Sequence, residues 1–278
     1  MTGIYIAAIV ASALALAVMG GFLVKGASPG ERRFYGGLLL LQLPMSWLAF
    51  EYVRVPLDSW IRSLIADRET YSIVTLFYAP FTEEPAKLWP LLLPWVWRRL
   101  NRANAVRVAL ALGLGFGIGE IAFLAARLAS VPAMAALPWY GFGGFVAERL
   151  MVCLWHAAFT AVTVTAAALS AKRIPIGFLG SAALHFIGNF PIFLASLRLF
   201  GLGVPEWQLL LLGWTVVYAV AMALLLVFLA RATGSNILAP RKRACRRCGA
   251  EYRPPTLALN LGAWRYERCP FCGKAQWT

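Results

Sequence analysis

Ala105-Val-Arg-Val-Ala-Leu-Ala-Leu-Gly-Leu-Gly-Phe-Gly-Ile-Gly-Glu-Ile-Ala-Phe-Leu-Ala-Ala126 is a run of 22 residues with only two ionisable side chains, Arg107 and Glu120. A helix of about 20 apolar residues crosses the roughly 30 Å of hydrocarbon in a bilayer. The same reading extends in both directions, to Ile4–Val24, Phe34–Val53, Tyr71–Trp97, Leu150–Ser170, Ile174–Leu197 and Trp207–Ala230. The first of these lacks the basic start and small-residue cleavage pattern of a signal peptide, so it is kept as a membrane helix. The chain is 60% hydrophobic and only 14% charged. The fold class expected is therefore an all-α integral membrane protein, a bundle of about seven to eight transmembrane helices.

A net charge of +14 from 26 Lys and Arg against 12 Asp and Glu invites a nucleic-acid reading, but its distribution argues against one. If the N-terminus is outside, the inner face collects Lys25, Arg32, Arg33, Arg98, Arg99, Arg102, Arg107, Lys172, Arg173 and the tail after Arg231. The outer face receives Arg54, Arg62, Arg68, Arg127 and Arg198. Cytoplasmic loops retain Lys and Arg, so the C-terminus is expected in the cytoplasm and the plasma membrane of a prokaryote is the expected location. The basic balance then reflects topology and contact with anionic lipid, and no nucleic-acid partner is expected.

Between the second and third spans, Leu57, Trp60, Ile61, Leu64 and Ile65 recur at helical spacing. Pro56–Glu69 therefore reads as an amphipathic helix in the interface. The third span carries Pro80, Pro85, Pro90 and Pro94, which predicts a broken helix that restarts with Thr82 as N-cap. That break would set Glu83 and Glu84 near a positive helix end. Gly113, Gly115, Gly117 and Gly119 allow close helix packing. Ser130–Val146, with Trp139 and Tyr140, reads as an outer loop or re-entrant segment.

After Ala230 the composition changes. A transmembrane domain over 1–235 gives way to a basic linker over 236–244, with Arg241-Lys242-Arg243, and a small domain over 245–278. The latter holds Cys245-Arg-Arg-Cys248-Gly and, twenty residues on, Cys269-Pro-Phe-Cys272-Gly. Two such pairs predict a zinc ribbon, with Cys245, Cys248, Cys269 and Cys272 as ligands of a structural Zn2+. The neighbouring arginines are expected to help hold the thiols deprotonated. Such a closed site substitutes for a core too small to fold alone, and a protein partner is a candidate for its surface. Cys153, inside a span, reads as a small packed hydrophobe.

The remaining polar residues inside the spans are the costly ones: Glu83, Glu84, Lys87, Glu120, His156, His185 and Asn189. Each alone has a bland account. Glu83 and Lys87, four apart, fit an internal ion pair, and His185 and Asn189 fit helix glue. Counting about 1.5 Å per residue, all fall between mid-membrane and the outer half, which predicts one shared wet cavity. Two adjacent carboxylates do not ionise comfortably together, so one is expected to hold a proton while the other acts as base. With imidazole and amide donors nearby, that set suits activation of water and stabilisation of an oxyanion. Three other functions use the same residues: a non-enzymatic membrane scaffold, an ion-coupled transporter, or a zinc metalloprotease ligating through Glu83, Glu120, His156 and His185. No internal repeat of the kind transporters carry is evident, and no HExxH helix is present.

The order Glu83-Glu84-x-x-Lys87, Phe116-x-x-x-Glu120, His185-x-x-x-Asn189 resembles the three motifs of the PrsW family of intramembrane proteases. These belong with the CAAX-prenyl-protease and bacteriocin-processing glutamic endopeptidases. Trp155-His156-Ala-Ala-Phe-Thr160 also resembles a histidine-bearing stretch of that family. The likeness covers residues 71 to 192 and does not include the ribbon. It implies an all-helical membrane fold and peptide-bond hydrolysis without a catalytic metal. Glu83 would activate water with Glu84 as its partner, His185 and Asn189 would line an oxyanion hole, and Glu120 and His156 would complete the catalytic set. Asn189 stands where aspartate is frequent in that family. The implied substrate is a membrane protein, such as a single-span anti-sigma factor cut outside the membrane, or a lipidated peptide.

Overall fold

The computed structural model describes residues 2–197, 199–235, 237, 243–252, 259–261 and 264–277. Arg198, assigned above to the outer face, and most of the basic linker, including Arg241 and Lys242, lie outside the described residues. The protein is an all-α integral membrane bundle with a small β-rich tail. Its long helices are α1 (Gly3–Val24), α2 (Pro29–Leu64), α3 (Arg68–Leu88), α4 (Ala105–Ala129), α5 (Gly143–Leu169), α6 (Ile174–Ser196) and α7 (Val204–Ala232).

Six of these are long and apolar enough to cross a membrane, fewer than the seven to eight expected. The exception is α3, whose 21 residues include Arg68, Glu69, Glu83, Glu84 and Lys87. It forms a helix in which Glu83, Glu84 and Lys87 are buried against neighbouring helices, while Arg68 and Glu69 at its start are exposed. The expected break at Thr82 does not occur either. The α3 helix runs unbroken through Pro80 and Pro85, and its N-cap is Asp67, whose carboxylate accepts the Thr70 N–H at 2.7 Å. Thr82 Oγ1 instead donates to Ala79 O at 2.8 Å. The chain breaks later, through a 3-10 turn at Trp89–Leu92 and an extended Leu93. Leu93 precedes Pro94, and the proline ring disfavours helical backbone in the residue before it.

The amphipathic segment is real but continuous with the second span. α2 passes through a π-helical turn, Ala49–Arg54, directly into Val55–Leu64. There Ile61 is buried, while Trp60 and Leu64 are exposed, as an interfacial helix requires. Residues 130–142 form two short helical turns, Pro132–Ala135 and Trp139–Phe142. Gly3 packs so closely on the backbone of Leu137–Trp139 that a Cβ there would collide with it. The N-terminus and this connection therefore share one end of the bundle. At the other end, Arg107 Nη2 donates to Lys25 O at 2.7 Å, and Phe34 meets Trp95 edge-on at 6.0 Å.

The alternating glycines explain why α4 is the central helix. Added Cβ atoms at Gly113 and Gly117 would strike Ala157 and Cys153 of α5, and at Gly115 and Gly119 would strike the Leu39 and Leu43 carbonyls of α2. Residues four apart share a face, so each glycine pair admits one neighbour at backbone distance. Cys153 is fully buried in this seam, as a small hydrophobe. With α4 clamped on both sides, Phe116 and Glu120 are held against α5, and α6 packs across α5 and α3.

The tail contains a hairpin, β1 (Arg243–Ala244) with β2 (Glu251–Tyr252), and a three-stranded antiparallel sheet in which β4 (Trp264–Arg268) lies between β3 (Leu259–Leu261) and β5 (Ala275–Trp277).

Candidate functional site

Glu83 and Glu84 sit in the last turn of α3, not at a helix start. There the helix dipole disfavours carboxylates, and two cations offset that cost. Glu84 and Lys87 are both fully buried and form a direct ion pair at i, i+3. The Glu83–Lys87 pair that the i, i+4 spacing allows does not form. Glu83 takes Arg54 instead, which donates from Nη1 to Oε1 at 2.9 Å. Arg54 comes from the π-helical turn of α2 and is steadied by Asp58 at 3.8 Å and by the Tyr78 ring at 5.4 Å. The two carboxylates therefore do not pair with each other; each faces its own cation.

A buried ion pair persists only when further hydrogen bonds satisfy its remaining atoms, and this one has them. Glu84 Oε2 accepts from Ser181 Oγ at 2.7 Å, and Oε1 lies 2.7 Å from His185 Nδ1. A carboxylate only accepts, so the His185 Nδ1 carries the proton and Nε2 points away from Glu84. Lys87 Nζ also lies 3.0 Å from His156 Nδ1. An ammonium only donates, which fixes Nδ1 as acceptor and puts the His156 proton on Nε2. That N–H donates to Glu120 Oε2 at 2.6 Å. Glu120 Oε1 accepts from Arg149 Nη1 at 2.9 Å, and Arg149 Nη2 donates to Glu148 at 2.6 Å.

Aromatic faces complete the packing. Lys87 Nζ lies between the rings of Phe116 at 5.4 Å and Phe159 at 5.5 Å, a cation–π arrangement favoured where water is excluded. Phe159 stacks on His185 at 5.3 Å and Phe116 meets His156 edge-on at 5.2 Å. On α7, Tyr218 donates to Leu184 O at 2.5 Å and Trp214 Nε1 to Gly188 O at 3.2 Å. Both bonds seat the part of α6 that carries His185.

These groups border a cavity of about 70 Å³ lined by Glu83, Glu120, His156, His185 and Asn189, with Glu148 and Arg149 at its rim. That volume holds a few water molecules. His185 Nε2 faces Glu83 Oε2 across 3.6 Å, too far for a direct hydrogen bond and suited to a bridging water. Asn189 is half-buried, and its side chain makes no hydrogen bond among the described residues. The structure thus brings Glu83, Glu84, Glu120, His156, His185 and Asn189 into one cluster, with Glu84 behind the cavity wall. Glu83, Glu120, His156 and His185 do not aim their donor atoms at a common point, because the Lys87 ammonium stands beside the imidazole of His156. Among the described residues, the one group able to hold a metal ion is elsewhere, in the tail.

Sequence reading did not include Arg54, Glu148, Arg149 and Ser181 in the site. Two of them leave a signal. Ser181, His185 and Asn189 recur every four residues and form one polar stripe on α6. Arg149 precedes His156 by seven residues, two helical turns, on the same face of α5. Arg54 leaves none, because its direction depends on the π turn.

In the tail, the Sγ atoms of Cys245, Cys248, Cys269 and Cys272 all lie within 4.8 Å of one another. Cys245 and Cys272 are 3.6 Å apart, and Cys248 and Cys269 3.8 Å. Tetrahedral Zn–S bonds of about 2.3 Å require S···S separations of about 3.8 Å, so the four thiols fit such an ion. Each CxxC turn closes with a left-handed glycine, Gly249 at φ 71° and Gly273 at φ 67°, a conformation costly for other residues. The backbone N–H groups of Cys248 and Arg247 draw the Cys245 thiol down to about 6, so main-chain amides, not the arginine side chains expected, favour its thiolate.

No family model, curated protein or solved structure matches the chain.

Proposed function

We propose that the chain is a glutamic-type intramembrane endopeptidase, an enzyme that hydrolyses a peptide bond of a membrane protein, and that the four cysteines of its tail hold a structural Zn2+. The observation that carries the reading is the pair Glu83 Oε2 and His185 Nε2, 3.6 Å apart on a water-sized cavity. Glu83 takes a proton from a water held between them, and the hydroxide attacks the scissile carbonyl carbon. The Asn189 amide donates to the developing oxyanion, and His185 is a second donor when its ring carries both protons. The proton on Glu83 then passes to the leaving amine. Glu84 is a positioning residue: it orients His185 and anchors Lys87. Glu120, His156 and Arg149 brace the wall opposite.

This assignment agrees with the PrsW resemblance. The cavity lies toward the end of the bundle that carries the N-terminus, the outer side if the basic end is cytoplasmic. A prokaryotic plasma membrane, a single-span anti-sigma-like substrate or a lipidated peptide, and a protein partner at the ribbon belong to the same proposal. The test is mapping of cleavage products from candidate membrane substrates with wild-type and Glu83→Gln protein in lipid. Loss of the base lowers the rate about 10²–10⁴-fold; undiminished cleavage by the variant would remove Glu83 from the chemistry.

A further inference from the structure

Among the described residues of the helical part, the end of the bundle away from the cavity carries ten lysines and arginines against one carboxylate, Glu31. Within it lies a notch of about 390 Å³ between the start of α2 and the loop before α4. Its walls are Glu31, Phe34 and Tyr35 on one side and Arg98, Arg99, Asn101 and Asn104 on the other, so two guanidinium groups face a single carboxylate. The loop wall is built, not loose. The Asn104 and Asn101 side-chain amides donate to Arg99 O at 2.7 and 3.2 Å, and the Arg99 guanidinium lies on the Phe34 ring at 5.4 Å. Stacking of that kind fixes the guanidinium plane and leaves its N–H edge free. Arg98 and Arg99 are exposed and have no carboxylate partner among the described residues. Glu31 is engaged in its own helix cap, where Oε2 accepts the Ser28 N–H at 2.7 Å.

We infer that this notch binds the phosphate of an anionic phospholipid head group, with Arg98 and Arg99 on the phosphate oxygens. Two unpaired guanidinium groups suit a phosphodiester, and the notch is far larger than a free phosphate needs. Beside it, Leu92, Trp95 and Trp97 are exposed, the apolar and indole surface found at head-group level. The site stands apart from the proposed peptidase centre and does not depend on it.

The experiment uses the full-length protein in detergent and native mass spectrometry to follow retention of added phosphatidylglycerol, phosphatidylcholine or inorganic phosphate. At about fivefold for each exposed guanidinium–phosphate contact, Arg98→Gln/Arg99→Gln weakens phosphatidylglycerol binding about 25-fold. The basic pair Lys172→Gln/Arg173→Gln, at the same end but not lining the notch, acts only through screened charge and changes it by less than about twofold. Arg98→Lys/Arg99→Lys keeps the charge and retains part of the binding, which separates lost contacts from lost folding. Equal losses from the two glutamine pairs, or no loss from either, would reduce the notch to diffuse surface charge. Retention of phosphatidylcholine as strong as that of phosphatidylglycerol, or displacement of the lipid by equimolar inorganic phosphate, would also overturn the assignment.

Discussion

Replacing Lys87 with methionine keeps the length of a flexible side chain and removes its charge. In the native protein this ammonium is fully buried and donates to Glu84 and to His156 Nδ1. Without it, the Glu84 carboxylate remains at zero exposure with only Ser181 and His185 as partners. Breaking a buried pair from one side costs about 3–5 kcal/mol, because the other charge stays behind uncompensated. At roughly 2–4 °C per kcal/mol for a domain of this size, the melting temperature of Lys87→Met falls by about 6–20 °C. Adding Glu84→Gln removes the stranded charge, so the double variant recovers more than half of the loss. Thermal unfolding in detergent, followed by the fluorescence of the 11 tryptophans, reads both outcomes. A single variant melting with the wild type, or a double variant no better than the single, would refute the pairing of Lys87 with Glu84.

Ser181→Ala strips a hydrogen bond from a buried carboxylate oxygen and lowers stability by about 1–3 kcal/mol, measured by the same melt. Gly119→Ala drives a methyl into Leu43 O and Ser46 Oγ and costs about 1–3 kcal/mol by overpacking. Gly37→Ala, with nothing within 4 Å of its added Cβ, instead gains about 0.5–1 kcal/mol of helix stability. Elemental analysis of purified protein finds one zinc per wild-type chain and none in Cys245→Ser/Cys269→Ser. A full equivalent left in that variant would move the metal out of the tail.

The spans were legible because the hydrocarbon core sets a length that sequence either meets or does not. The site was legible for a related reason: a carboxylate or imidazole at that depth persists only with partners, so Glu83, Glu84, Glu120, His156, His185 and Asn189 pointed to one another before any geometry was known. Which partner each would take was not legible. Lys87 reaches both Glu83 and Glu84 along its own helix, at i−4 and i−3, and the choice is made by Arg54 from α2, which takes Glu83 and leaves Glu84 to Lys87. The proline-rich reading of α3 misplaced its break: the helix continues through Pro80 and Pro85 and gives way only at Trp89–Leu92. The six-helix count has the same origin: composition disqualifies α3, while the half-buried Arg54 and the buried Lys87 make its carboxylates tolerable inside the bundle.

The 70 Å³ chamber has a mechanical consequence. Space for a few solvent molecules is too little for a main-chain amide with side chains on both flanks. If the proposed peptidase reading holds, the helices around Glu83 must separate before a polypeptide can meet it. Arg54 is among the groups in the way, and it hangs from the π turn that leads into the interfacial segment of α2. Turnover would then be paced by this parting of helices instead of by bond cleavage, and a cross-link between α2 and α3 would arrest it with every reacting group intact.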